Sequence, residues 1–217
     1  MRVLQTSLIF WLSLMCWTLP GCLKPSSSSS DPAPPVAVAV PIPAATPAAE
    51  EASAPAAPSA GTVELKILNW EETEKLIESH HGKIVVMDVW STACTPCMRE
   101  FPNLVALDKK HRTDGVACIS LSVDYDGIQD KPPESYRERV IKFLTKTGAT
   151  FDNVLSNVPS DDLLDKNLEL ASIPAVYVYG RDGKLVKRFD NESLSKENPE
   201  FTYKDVTKLV EELLANK

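Results

Sequence analysis

The run Ile84-Val85-Val86-Met87-Asp88-Val89-Trp90 is apolar apart from one carboxylate, and Ser91-Thr92-Ala93 carry it into the pair Cys94-Thr95-Pro96-Cys97. A strand with no polar alternation has to be covered on both faces, so helices must pack on both sides of the sheet it enters. The next segment is constrained too. Proline between the cysteines suits a first helical turn, where its missing N–H has no intrahelical partner to lose. The chain is therefore expected to run from a buried strand through a short turn into a helix whose start carries both sulfurs.

The rest of residues 62–217 fits around that frame. Val63 to Leu68 alternates as a half-buried strand should, and Trp70 to His81 reads as a helix capped by Asn69. A cysteine-bearing helix is expected over Cys94 to Arg112, a buried strand over Val116 to Val123, a helix over Glu134 to Thr147 and a short strand over Phe151 to Leu155. Asp161 to Leu168 looks helical. Ala175 to Tyr179 and Leu185 to Phe189 form strands joined by Arg181-Asp182-Gly183-Lys184, where Asp-Gly supplies the positive φ of a tight hairpin. Thr202 to Ala215 closes the chain as an amphipathic helix with Val206, Leu209, Val210 and Leu213 on one side. Alternating strands and helices, then a hairpin and a helix, imply an α/β domain with a mixed central sheet flanked by helices on both faces.

Residues 1–61 are a different material. Arg2 precedes an apolar run from Val3 to Leu19, the charged and hydrophobic parts of an export signal over residues 1–22. It ends in Leu19-Pro20-Gly21-Cys22, where a small residue before cysteine looks like a bacterial lipobox that would leave Cys22 lipidated. An uncleaved anchor helix or ordinary secretion are the alternatives, and all three place the remainder outside the cytoplasm. Residues 23–61 repeat Pro, Ala, Ser and Val with almost no charge, too little apolar bulk to offset the entropy of ordering. Such a linker would tether the domain, with an extended limit of roughly 120 Å at ~3.1 Å per residue. With 23 Lys and Arg against 30 Asp and Glu, the net charge is −7, which argues against a nucleic-acid partner.

The chemistry concentrates at the cysteine turn. Cys94 lies beside unpaired N–H groups and the positive end of the helix dipole, which favour its thiolate and make it the attacking sulfur. Cys97, one turn further in, is expected to be more buried and to resolve what Cys94 captures. Asp88 would sit in an apolar strand, where burial raises a carboxyl pKa, and could take the Cys97 proton through water. A Cys-x-x-Cys pair is also half of a zinc site. No second pair exists here and the histidines are only His80, His81 and His111, so no metal and no cofactor are expected.

In this context the stretch Cys94-Thr95-Pro96-Cys97-Met98-Arg99-Glu100-Phe101-Pro102 resembles the thioredoxin superfamily, most closely its membrane-tethered TlpA/ResA-like thiol–disulfide oxidoreductases. Ser172-Ile173-Pro174-Ala175 and Val178 to Val186 carry the resemblance further, and in element order it spans about residues 66 to 215. It implies a thioredoxin-like fold in which Pro174 is cis and faces the disulfide, with Ile173 offering backbone groups to an extended substrate. Trp90, Thr95 and Pro96 complete the expected substrate-contacting set. The resemblance places Asp88 at the buried aspartate of thioredoxins, Glu100 at the thiol-tuning glutamate of ResA-like proteins and Pro102 at the helix-kinking proline. Two departures stand out. Many of that branch lack an acid at the place of Asp88, and Ala93 replaces the usual Trp.

The expected function is thiol–disulfide exchange with protein substrates through Cys94 and Cys97, with Asp88 and Glu100 managing protons. The branch favours a reductant, as in cytochrome c maturation or thiol rescue, supplied by a membrane electron donor. A thiol peroxidase, or a tethered module that delivers metal or haem with the same thiols, remains open. Cys118 reads as a small buried hydrophobe, and Asp124-x-Asp126-Gly127 has the wrong spacing for a calcium loop.

Overall fold

The computed structural model describes residues 61–192, 194–195 and 200–216. The signal, Cys22 and nearly all of the linker lie outside the described residues. Among the described residues no helix is long and apolar enough to cross a membrane.

Six strands form one sheet: β1 (Lys66–Leu68), β2 (Ile84–Trp90), β3 (Val116–Ser122), β4 (Asp152–Ser156), β5 (Ala175–Tyr179) and β6 (Leu185–Phe189), in the order β1-β4-β3-β2-β5-β6. The first four are parallel; β5 runs antiparallel to β2, and β6 antiparallel to β5. β2 sits between β3 and β5, and all seven of its residues are buried. The helices are α1 (Trp70–Ser79), α2 (Thr95–His111), α3 (Arg137–Thr147), the short α4 (Ser160–Asp162) and α5 (Tyr203–Ala215).

Strand periodicity sorts the sheet into two cores. Ile84, Val86 and Trp90 join Phe101 and Leu104 of α2, Val140 and Leu144 of α3, and Val206 and Val210 of α5. Val85, Met87 and Val89 pack instead with Leu76 and Ile77 of α1 and with Leu163 and Leu168 after α4. Asp88 therefore shares a face with Val86 and Trp90, directed at α2 and α5.

Most expected elements fall within a few residues of their sequence positions, and three differ for local reasons. Only Lys66–Leu68 pairs in β1. Before it, the Glu64 carbonyl is taken by Asn153 Nδ2 and that of Leu65 by Arg137, so side chains replace a sheet ladder there. The helix expected from Glu134 begins as a 3₁₀ turn, Pro133–Tyr136, before α3. The helix expected over 161–168 is a single α turn followed by a π turn, Leu163–Asn167. The hairpin turn is as read, with Gly183 at φ +75°.

Candidate active site

Cys94 is the N-cap of α2, and its Sγ accepts the N–H of Cys97 at 3.2 Å. The two cysteines are joined as a disulfide with Cα atoms 5.3 Å apart, a separation within the usual range for the bond. Cys94 is partly exposed while Cys97 is only 2% exposed, which separates an accessible sulfur from a buried one. Thr95 is exposed and Pro96 partly so.

The turn that delivers Cys94 is held from below. Asp124, just past β3, accepts the Thr92 N–H at 3.0 Å and also bonds the Thr92 hydroxyl. Ser122 Oγ donates to the same carboxylate at 2.7 Å, and Arg139 of α3 pairs with it at 2.8 Å. Ser91 adds two bonds, its carbonyl accepting Cys94 N–H and its hydroxyl accepting Ala93 N–H, each at 3.1 Å. The acidic segment that fails as a calcium loop thus anchors the cysteine turn.

The Ile173–Pro174 bond is cis. The Ile173 side chain is partly buried against both cores. Among the described residues no backbone hydrogen bond uses its N–H or C=O. The preceding loop is fastened by Arg188 of β6, which donates to the Glu169 carbonyl at 2.9 Å. Glu192 helps by accepting Ala171 N–H at 2.6 Å.

A small cavity of about 80 Å³ brings Asp88, Pro96, Cys97, Glu100, Pro174 and Tyr203 onto one lining. It has room for a few water molecules and enough polar groups to hold them. A larger groove of about 580 Å³ between α2 and α5 shares Glu100 and Tyr203 but touches neither cysteine, so the chemistry belongs to the smaller space. Burial pushes the Asp88 carboxyl up to about 7, a hydrogen bond from Tyr203 works against that rise, and the charge of Glu100 adds to it. Glu100 itself is about one third exposed, 3.5 Å from Arg99 and bonded by Asn103 Nδ2 at 3.0 Å. Among the described residues no three His, Cys, Asp or Glu side chains are placed to hold a metal ion.

The structure thus places Cys97, Asp88, Glu100, Pro96 and Pro174 around one cavity. Trp90 is a correction: expected at the substrate surface, it is wholly buried, its ring 4.8 Å from Phe101 and 4.9 Å from Phe143. Strand alternation turns it inward with Val86, so it supports α2 and α3 and cannot touch a substrate. Tyr203, which sequence reasoning did not single out, reaches Asp88 from α5. Its spacing to Val206 and Val210 places it on the helix's buried face, and that was the available signal.

No family model matches the sequence. Among curated proteins, the chain is similar to thiol-disulfide oxidoreductase ResA of Bacillus subtilis (strain 168), 27% identical over 106 residues, 49% of this chain and 52% of that protein. It is also 26% identical to ResA of Geobacillus thermodenitrificans (strain NG80-2) over 128 residues, covering 59% and 66% of the two chains. The chain thus spans about half to two thirds of the length of these relatives. Among solved structures, a putative thiol:disulfide interchange protein DsbE from Chlorobium tepidum aligns at TM-score 0.46 and 17% identity over 64% of this chain and 83% of that one. A secreted Mycobacterium tuberculosis disulfide oxidoreductase aligns at 0.47 and 19%, over 63% and 86%. The chain is thus similar to proteins named thiol-disulfide oxidoreductase ResA, in keeping with the TlpA/ResA-like resemblance that the cysteine motif carries, and its Cys pair closes a disulfide at the start of α2 beneath a mixed six-stranded sheet.

Proposed function

We propose that this protein is a thiol–disulfide oxidoreductase that reduces protein disulfides through Cys94 and Cys97. In the dithiol state the Cys94 thiolate attacks a substrate disulfide, forming a mixed disulfide and releasing one substrate sulfur as a thiolate. The Cys97 thiol gives its proton to Asp88 through cavity water. Its thiolate then attacks Cys94 Sγ, closing the Cys94–Cys97 bond and releasing the second substrate sulfur. Two electrons pass to the substrate, and the protein ends in the disulfide form.

The observation that carries this reading is the shared lining of Asp88, Cys97 and Pro174 around one small cavity. A carboxyl pushed to about 7 can both accept and return a proton near neutrality. The backbone groups of Ile173, which no hydrogen bond uses among the described residues, suit an extended peptide laid beside Cys94. Regeneration requires a dithiol donor, for which a membrane redox protein is the natural class. The site is proposed to work outside the cytoplasm, tethered by lipid on Cys22, with clients such as apocytochrome or other oxidised thiols. The full-length Cys97→Ala variant tests the mechanism. It should accumulate mixed disulfides on Cys94 that dithiothreitol releases, and an empty trap with Cys94 intact would rule the mechanism out. The reduction potential of the pair decides its direction in the cell. Loss of radiolabelled lipid in Cys22→Ala checks the anchor.

A further inference from the structure

Asp88 has two oxygens, and the structure treats them differently. Oδ2 receives the hydroxyl of Tyr203, whereas no hydrogen bond reaches Oδ1 among the described residues. Tyr203 is 4% exposed and stands at the first position of α5, a place fixed by its neighbours. Asp205 Oδ2 accepts the Thr202 N–H at 2.8 Å and its hydroxyl at 2.9 Å, which pins the helix start. Val206 and Val210, fully buried, hold the following turns against the sheet. A phenol presented this rigidly costs little further ordering entropy when it bonds the carboxylate.

We propose that Tyr203 is a positioning residue for the proton step: its O–H commits Asp88 Oδ2, leaves Oδ1 as the oxygen that exchanges a proton with Cys97 through water, and favours the ionised carboxylate in a buried site. This deepens the proton-acceptor role given above to Asp88 and rests on it. The step balances within the site. The Cys97 proton passes by water to Oδ1 as the Cys97 thiolate displaces the substrate sulfur from Cys94, and it leaves by the same water when the pair is reduced again.

The other groups around Asp88 do not provide this bond. From α2 the cavity receives Cys97, Arg99 and Glu100, and from the segment before α5 it receives Glu200. Glu100 is of like charge and opposes ionisation of Asp88. On β3 the partner in register is Ser120, and the Cys118 thiol is itself pushed up by burial. β5 offers the apolar Val176 opposite Asp88. Tyr203 is therefore the neutral donor that offsets part of the burial cost, and its own hydroxyl is held well above the usual phenol range by burial and by the Asp88 charge.

The test uses the full-length protein, reduced and then mixed with oxidised glutathione, with closure of the Cys94–Cys97 disulfide followed from about pH 5 to pH 9. The wild type should show a limb with a midpoint near that of Asp88, and Asp88→Asn should lack it. Tyr203→Phe keeps the ring, and is expected to move that midpoint upward by about one pH unit, a tenfold change in the ionisation equilibrium. A merely structural tyrosine would lower the urea midpoint and leave the pH limb in place. An unmoved limb in Tyr203→Phe, with the limb absent from Asp88→Asn, overturns the role of Tyr203 while sparing Asp88 as acceptor. A limb that persists in Asp88→Asn removes the acceptor reading and this inference together. Should Tyr203→Phe not fold, the Tyr203 hydroxyl proton of the wild type answers by NMR. A downfield, slowly exchanging signal that titrates with the Asp88 carboxyl supports the bond, and a signal lost to solvent exchange across the range overturns it.

Discussion

Replacing Asp88 by asparagine removes one ionisable group while keeping its shape and an acceptor for Tyr203. Burial takes this carboxyl from 3.8 to about 7. Between those values the folded protein holds a proton that the unfolded chain has released. The unfolded state then binds fewer protons, so stability falls as pH rises. The contribution is complete below about pH 4, declines by about 1.36 kcal/mol per pH unit, and is exhausted above about pH 7. The whole decline is roughly 4 kcal/mol, a large share of the 5–15 kcal/mol that typically holds a domain together. Asp88→Asn does not ionise and so lacks this pH dependence. Urea unfolding of the oxidised wild type and variant, at intervals from about pH 4.5 to 8.5, gives the difference directly. That difference should shift in the variant's favour through the window and level off above about pH 7. A constant difference would show that Asp88 is not held in a low-dielectric site, and a trend of opposite sign would mean that it is stabilised as an ion. Either result would undo the argument for its catalytic role.

Glu100→Gln should act on the same pH limb in the opposite direction from Tyr203→Phe, lowering the Asp88 midpoint because a like charge has gone; disulfide closure with oxidised glutathione reads it. Asp124→Ala leaves the Thr92 N–H, the Ser122 hydroxyl and Arg139 without their shared acceptor, and should cost about 3 kcal/mol in urea unfolding. A loss within a few tenths of a kcal/mol would mean that water replaces the carboxylate there. Arg188→Lys removes the fork that reaches the Glu169 carbonyl and Glu192, and amide exchange across residues 168–173 should rise about tenfold, for roughly 1.4 kcal/mol of lost local protection. Unchanged exchange would show that the cis-proline loop is held by other contacts.

Much of this site is legible in the sequence because much of it is local. An unbroken apolar run demands a strand covered on both faces, and the alternation within it sets Asp88 on the side of Val86 and Trp90. A cysteine placed just before Thr95-Pro96 becomes a helix cap for steric and hydrogen-bonding reasons that involve only its neighbours, and its exposure relative to Cys97 follows from one turn of helix. Those determinants act over a few residues, so reading the chain in order recovers them.

The tertiary structure decided which distant side chains meet those local features. Tyr203 lies 115 residues from the carboxylate it bonds, and Arg139 is separated by a strand and a helix from the Thr92 turn that it steadies through Asp124. Trp90 reads as a surface aromatic beside two cysteines until Phe101 and Phe143 close over it. Amphipathicity tells that a helix has a buried face, but which sheet position that face covers depends on how the chain returns across the sheet. That path is selected by the packing of both cores at once, and no segment contains it.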